Sequence, residues 1–212
     1  DHFIGDTAVW TEAESALENV LKNNDLDFEI NPADAAFYGP KLDFYVKDSL
    51  NREFQCATVQ LDFQLPERFD LTYASASGNM ERPVVIHRAL YGSFERFIGI
   101  IIEHYAGAFP TWLAPVQCVI MTISERFVAY AEEVHNLLKS QQIRVELDNR
   151  DDKIGAKIRD ARLQQVPYMF IIGEREVENR TVSVRVREEG DIGAMDLNVA
   201  VERIRAEADI DF

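Results

Sequence analysis

Between residues 114 and 212 the apolar positions switch repeatedly between a strand period and a helix period. Residues 116–123 are an almost unbroken apolar run, which predicts a strand buried on both faces. Ser124 is placed to cap a helix whose apolar stripe is Phe127, Ala131, Val134 and Leu138. Ile143, Val145 and Leu147 alternate with Arg144 and Glu146, as in a second strand. A short helix follows, with Ile154, Ile158 and Ala161 inward and Lys153, Lys157 and Arg159 outward. Residues 167–172 read as a third buried strand. Over 181–187, Val182, Val184 and Val186 face one way, against Thr181, Ser183, Arg185 and Arg187 on the other. Asp196 then caps a last helix with Leu197, Val201, Ile204 and Ala208 inward. The order β-α-β-α-β-β-α predicts a mixed sheet covered by helices.

The first half has a different rhythm. One amphipathic helix (Val9, Ala13, Ala16 or Leu17, Val20 and Leu21) precedes expected strands at 27–30, 42–47, 53–63 and 83–86, with a second helix over 92–105. Short alternating strands joined by turns predict an antiparallel sheet in an α+β domain. Pro110 and Pro115 break the chain between these regimes, which places domains at 1–113 and 114–212.

Composition narrows the function. At 47% hydrophobic and 28% charged, the 212-residue chain is neither disordered nor collagen-like. No apolar run reaches membrane-spanning length, since 97–102 is closed by Glu103 and His104. No basic-then-apolar leader is visible at the start. With only Cys56 and Cys118, a reducing, cytoplasmic location is expected. A net charge of −15 speaks against indiscriminate nucleic-acid binding. The acidity is uneven, however. Residues 144–187 carry 10 basic and 8 acidic side chains, a locally basic stretch suited either to a selective polyanion contact or to a solvated helix face.

Three segments carry candidate chemistry. In 53–63 regular alternation puts Cys56, Thr58 and Gln60 on one face and Gln55, Ala57, Val59 and Leu61 on the other. Two amides and a hydroxyl on such a strand call for a polar ligand or for solvent on one side. The segment His87 to Phe97 leads from a strand into a helix whose start favours an anion. Ser93 and Arg96 share a face there; Arg96 suits a phosphate, or an ion pair with an acid such as Asp62. His87 by itself fits a hydrogen-bonded structural role or a metal ligand. Phe37-Tyr38-Gly39-Pro40-Lys41 is a turn carrying a phenol and a cation.

Taken in order, these stretches resemble the threonyl-tRNA synthetase family of class II aminoacyl-tRNA synthetases. The resemblance rests on Ala36 to Lys41, Gln55 to Phe63, Pro83 to Ala89, Gly92-Ser93 with Glu95-Arg96-Phe97, and Phe109 to Pro115. Lys153-Ile154-Gly155, Lys157-Ile158-Arg159 and Val166-Pro167-Tyr168 extend it, so that it covers nearly the whole chain from about Phe3. It implies the latter part of a class II catalytic domain at 1–113 and an anticodon-binding domain at 114–212. Asp151 and Tyr91 stand where Asn and Leu are commoner in the family.

The implied activity is ATP-dependent formation of threonyl-adenylate followed by transfer to tRNA(Thr). On that resemblance Tyr38, Lys41, Gln55, Thr58, Gln60, Ser93 and Arg96 bind threonine and ATP, and Arg96 is the catalytic arginine that stabilises the phosphates. His87 matches one of three zinc ligands, the other two being expected before Asp1, and Mg2+ accompanies ATP. Glu176 and Arg185 match positions that read the anticodon. A homodimer is implied for the complete enzyme. The competing reading is a non-catalytic, synthetase-derived module that holds tRNA or a partner. Prolyl and glycyl relatives are disfavoured by His87-Arg88-Ala89. Regular alternation turns Gln55 away from Thr58 and Gln60, so a β-bulge is required if all three line one pocket.

Overall fold

The computed structural model describes residues 4–32 and 34–209. They fall into two compact units, divided between Ile100 and Ile101. Phe3, where the resemblance begins, lies outside the described residues.

In the first unit, helix α1 (Thr7–Asn23) starts at Asp6, whose carboxylate accepts the Ala8 N–H, and buries Trp10, Ala13 and Leu21. Strands β1 (Lys41–Lys47), β2 (Glu53–Asp62) and β5 (Val85–Ala89) form an antiparallel sheet in the order β1-β2-β5. Between β2 and β5 lie helix α2 (Gln64–Arg68) and a small hairpin, β3 (Tyr73–Ala74) with β4 (Met80–Glu81). Helix α3 (Phe94–Tyr105) follows β5.

The strand expected at 27–30 does not form. Leu26, Phe28 and Ile30 are all exposed, and no ladder pairs with them. Apolar alternation without a neighbouring strand edge leaves backbone groups to solvent rather than to a sheet.

The second unit holds a five-stranded mixed sheet ordered β10-β9-β8-β6-β7. β6 (Cys118–Thr122) runs parallel to both β7 (Val145–Asp148) and β8 (Tyr168–Ile172); β9 (Thr181–Val186) and β10 (Gly190–Asp196) continue antiparallel. Helices α4 (Val128–Ser140) and α7 (Leu197–Ala208) cover one face, where Ile120, Val134, Leu138, Phe170, Val184 and Ile204 form the main core. Helix α5 (Ile154–Leu163) covers part of the other face, over Val119, Met121 and Met169.

The structure departs from the sequence pattern at four features here. Ser124 makes no side-chain cap; it heads a single 3₁₀ turn (Glu125–Phe127), and α4 begins only at Val128. The six-residue helix α6 (Glu174–Asn179) and strand β10 are additional, the latter lacking regular alternation around Gly190 and Gly193. Lys157, expected outside, is 1% exposed. Its Nζ donates to the carbonyls of Thr122 and Asp148 at 3.1 and 3.2 Å, at the ends of β6 and β7.

The proline-bounded stretch is strapped onto this unit. Arg144 donates to the carbonyls of Ala114 and Trp112, Gln117 to that of Thr111, and Arg187 to that of Phe109. Thr111 donates its hydroxyl to Glu207 at 2.7 Å.

Candidate active site and RNA-binding face

The first unit gathers its polar side chains on one face of β1-β2-β5. Directly opposed residues in an antiparallel ladder share a face. Lys41 opposes Gln60, which opposes His87, and Asp43 opposes Thr58, which opposes Ala89. Gln55 joins them through a break in the ladder: Phe44 pairs with Ala57 while Tyr45 pairs with Gln55, so that Cys56 is the extra residue of a β-bulge. The bulge required if all three are to share one pocket, as the resemblance implies, is present, and it turns Gln55 onto the face of Thr58 and Gln60.

Tyr38 is delivered to this face by its turn. A Cβ on Gly39 would lie 1.8 Å from the Leu61 carbonyl oxygen, so only glycine lets the turn sit against β2. The Leu61 N–H donates to the Pro40 carbonyl at 3.0 Å, and Tyr38 donates its hydroxyl to Gln60 Oε1 at 2.7 Å. The rings of Tyr38 and His87 meet edge to face, 5.9 Å between centroids.

His87 Nε2 lies 2.8 Å from Asp62 Oδ2, while Asp62 Oδ1 accepts the N–H groups of Gln64 and Leu65. Asp62 is 1% exposed. Burial opposes its ionisation, but the bonds from His87 and from these two N–H groups outweigh that and hold its carboxyl below the usual range. Asp43 bridges Lys41 and Gln55, accepting from each at 2.6 Å. The bond to Asp43 raises the Lys41 ammonium above its ordinary value despite burial. Thr58 differs from all of these: its Oγ1 is buried without a hydrogen-bond partner.

Gly92 stands on the bulge, where a Cβ would come within 3.2 Å of the Cys56 carbonyl oxygen. Just beyond it, Ser93 donates to Glu95 at 2.6 Å and accepts weakly from the Arg96 N–H at 3.4 Å. The Arg96 side chain is exposed and has no partner among the described residues. The ion pair with Asp62 offered by the sequence is not formed, since Asp62 is occupied by His87. The face therefore brings together Tyr38, Lys41, Gln55, Thr58, Gln60 and His87. Ser93 and Arg96 begin the helix that follows Gly92 and are not bonded to that set. Of Asp43 and Asp62, the residues that organise it, the sequence points only to Asp62, and to that as a partner for Arg96.

In the second unit, Glu176 accepts the Gly173 N–H at 2.9 Å, closing the start of its own short helix. Arg185 lies on β9, opposite Met169 and Asp191 and turned away from the main core. Its Nε is buried without a hydrogen bond, 3.5 Å from Asp191 Oδ2.

Residues 6–105 match the family model for the tRNA synthetase class II core domain (G, H, P, S and T), and residues 117–207 match that for the anticodon binding domain. The chain is 54% identical over 206 residues to the threonine–tRNA ligase of Clostridium tetani, a match covering 97% of this chain and 32% of that protein. Among solved structures, the RNA binding domain of threonyl-tRNA synthetase from Cryptosporidium parvum aligns with a TM-score of 0.89 at 38% identity, over 100% of this chain and 54% of that one. A threonyl-tRNA synthetase from Aeropyrum pernix aligns with a TM-score of 0.70 at 28% identity, over 98% and 51%. The chain thus spans about a third of the length of the curated relatives it matches. A class II core segment followed by an anticodon-binding domain, at this identity, means that the chain corresponds to about a third of a threonine–tRNA ligase.

Proposed function

We propose that residues 1–113 supply part of the threonine and ATP pocket of a threonine–tRNA ligase, and that residues 114–212 hold the anticodon loop of its tRNA. In that reaction the threonine carboxylate attacks the α-phosphate of ATP, giving threonyl-adenylate and pyrophosphate. The threonyl group then passes to the terminal adenosine of the tRNA.

The observation that carries the reading is the polar face on which Gln55, Thr58 and Gln60 stand together with Tyr38 and Lys41. Amides, a phenol and an ammonium fixed on one face suit a small polar ligand such as a hydroxylated amino acid. Arg96, without a partner among the described residues, is placed to neutralise phosphate charge, and the Lys41 ammonium adds to it. Catalysis is then positioning and charge neutralisation, with no covalent step on a side chain. Magnesium enters with the nucleotide.

The described residues of this chain do not complete a zinc site by themselves. A catalytic zinc takes about three protein ligands, and no three His, Cys, Asp or Glu side chains gather to hold a metal among the described residues. His87 Nε2 is moreover engaged by Asp62.

The RNA-binding half rests on Arg185, whose guanidinium suits the exposed base edges of a loop. The working enzyme on this reading is a cytoplasmic homodimer. No helix among the described residues is long and apolar enough to cross a membrane.

The test is twofold. The 212-residue chain should bind labelled threonine tRNA in preference to a tRNA of other specificity, and Arg185→Ala should weaken that binding. In a ligase containing this sequence, Arg96→Ala should slow threonine-dependent pyrophosphate exchange by roughly 10²-fold or more, while Arg185→Ala leaves exchange unchanged. Equal binding of the two tRNAs, or exchange indifferent to Arg96, would refute the respective half.

A further inference from the structure

The surroundings of Arg185 carry an inference that rests on the RNA-binding reading above and deepens it. Arg185 and Asp191 are directly opposed on β9 and β10. The register shifts between Asp191 and Gly193, and in that bulge Asp191 Oδ1 accepts the Gly193 N–H at 3.0 Å. Its second oxygen, Oδ2, is thereby aimed at Arg185 Nε, 3.5 Å away. That separation is too long for a hydrogen bond but short for a charge contact.

The consequences for the guanidinium are specific. Nε is buried and closed to any ligand. The remaining exposure of this side chain, 30%, belongs to its other atoms, and the two terminal amino groups have no partner among the described residues. They present two donors in one plane. A fixed negative charge sits beside them, and Asp191 is itself about half exposed, at 53%. Such a pair repels a phosphate, which carries a full negative charge, far more than it repels the neutral acceptors of a base edge.

We infer that Asp191 is a specificity-determining residue: it directs Arg185 toward a neutral, planar acceptor pair on an unpaired base and away from the phosphate backbone. The bulge that pins the carboxylate makes this bias a fixed property of the fold. It also reconciles the acidity of the chain with selective RNA binding. An arginine free of its carboxylate would hold any strand, whereas this one holds a strand only where a base replaces the phosphate.

Asp191→Asn isolates the charge, because asparagine keeps an Oδ1 acceptor for the Gly193 N–H. The probes are a short RNA hairpin with the anticodon loop of a threonine tRNA and the same hairpin with its anticodon bases replaced by adenosine. Binding is read by fluorescence anisotropy over roughly 50 to 200 mM KCl. The unaltered chain should prefer the first hairpin. Asp191→Asn should bind both more tightly and lose preference by roughly tenfold, the scale of one good bidentate base contact. Its plot of log affinity against log salt should steepen by about 0.7, the value of one more contact to single-stranded phosphate. Asp191→Glu, which restores the charge, should restore much of the preference. If Asp191→Asn keeps both the preference and the salt slope of the unaltered chain, the inference is wrong while the RNA-binding reading stands. If the unaltered chain binds neither hairpin, or both equally, the RNA-binding reading falls and takes the inference with it.

Discussion

Asp62 and His87 face each other across neighbouring strands, Oδ2 to Nε2 at 2.8 Å, while the other oxygen of the same carboxylate starts α2 by accepting the N–H groups of Gln64 and Leu65. One buried acid thus ties β5 to β2 and fixes where β2 ends. A carboxyl whose folded-state value lies below its unfolded value stabilises the fold above the unfolded value, near 4, and loses that contribution as pH falls through the folded one. Asp148 acts in the same sense in the second unit, chiefly through its bonds from Arg150. Stability followed by urea unfolding should be level above about pH 5 and decline in acid. Asp62→Asn should flatten the part of that decline belonging to the first unit. A decline of unaltered steepness in this variant would show that the carboxylate has no such role.

Gly39 should tolerate no side chain. The Leu61 carbonyl oxygen, 1.8 Å from the site of a Cβ, belongs to a strand paired on both sides and cannot withdraw. Gly39→Ala should therefore lift the 36–40 turn off β2, at a cost of about 3 kcal/mol or more by analogy with severe overpacking. The Tyr38–Gln60 bond should be lost with it. Thermal unfolding gives the first effect and the Tyr38 ring resonances the second. A variant as stable as the parent would mean that the turn does not rest on β2 as described.

The same segment shows how much a sequence can disclose. Alternation along 53–63 located β2 to within one residue and marked its polar side chains, because a two-residue period survives in any strand with one apolar face. Alternation alone turned Gln55 the other way; only the resemblance, which puts it in one pocket with Thr58 and Gln60, called for an inserted residue, and Cys56 is that residue. Lys157 gave no such signal. Its place on a helix surface looked solvated, and only the meeting of two strand ends above it, a long-range event, makes it interior. Asp43 was hidden for the same reason, Gln55 lying 12 positions away along the chain, and Asp62 was offered to Arg96 rather than to His87, 25 positions away. Leu26, Phe28 and Ile30 failed in the opposite direction, a strand period without a strand to pair with.

Thr58 offers a substitution expected to do no harm to the fold. Its hydroxyl is buried with no partner, a state that costs about 1–3 kcal/mol. Thr58→Val keeps the branched shape that suits a strand and removes the unmet group. The melting temperature should stay the same or rise, by an amount equivalent to about 1 kcal/mol at most. In a ligase containing this sequence, the same change should raise the KM for threonine, which separates the ligand role from the structural one. A clear loss of stability would reveal a partner for the hydroxyl that the fold does not otherwise display.

Lys157 provides the strongest contrast. Its amino group is buried beneath two backbone carbonyls, those of Thr122 and Asp148, and has no carboxylate in bonding contact among the described residues. Taking a charge from water is costly, by several kcal/mol. Against this stand two charge-assisted bonds of about 1.5–3 kcal/mol each and the burial of a long apolar stem. These terms are close to balance, so removing the lysine acts mainly through what it leaves behind. Lys157→Met preserves the stem but strands both carbonyls, for an expected loss of about 2 kcal/mol. Lys157→Ala strands them and opens a cavity beside Val119 and Ala161, for a loss of about 3–5 kcal/mol. Guanidinium unfolding of the second unit should therefore rank the lysine form above the methionine form, and that above the alanine form. A methionine variant more stable than the parent would place desolvation ahead of the carbonyl bonds, and would mean that Lys157 is kept for a purpose other than holding the ends of β6 and β7 together.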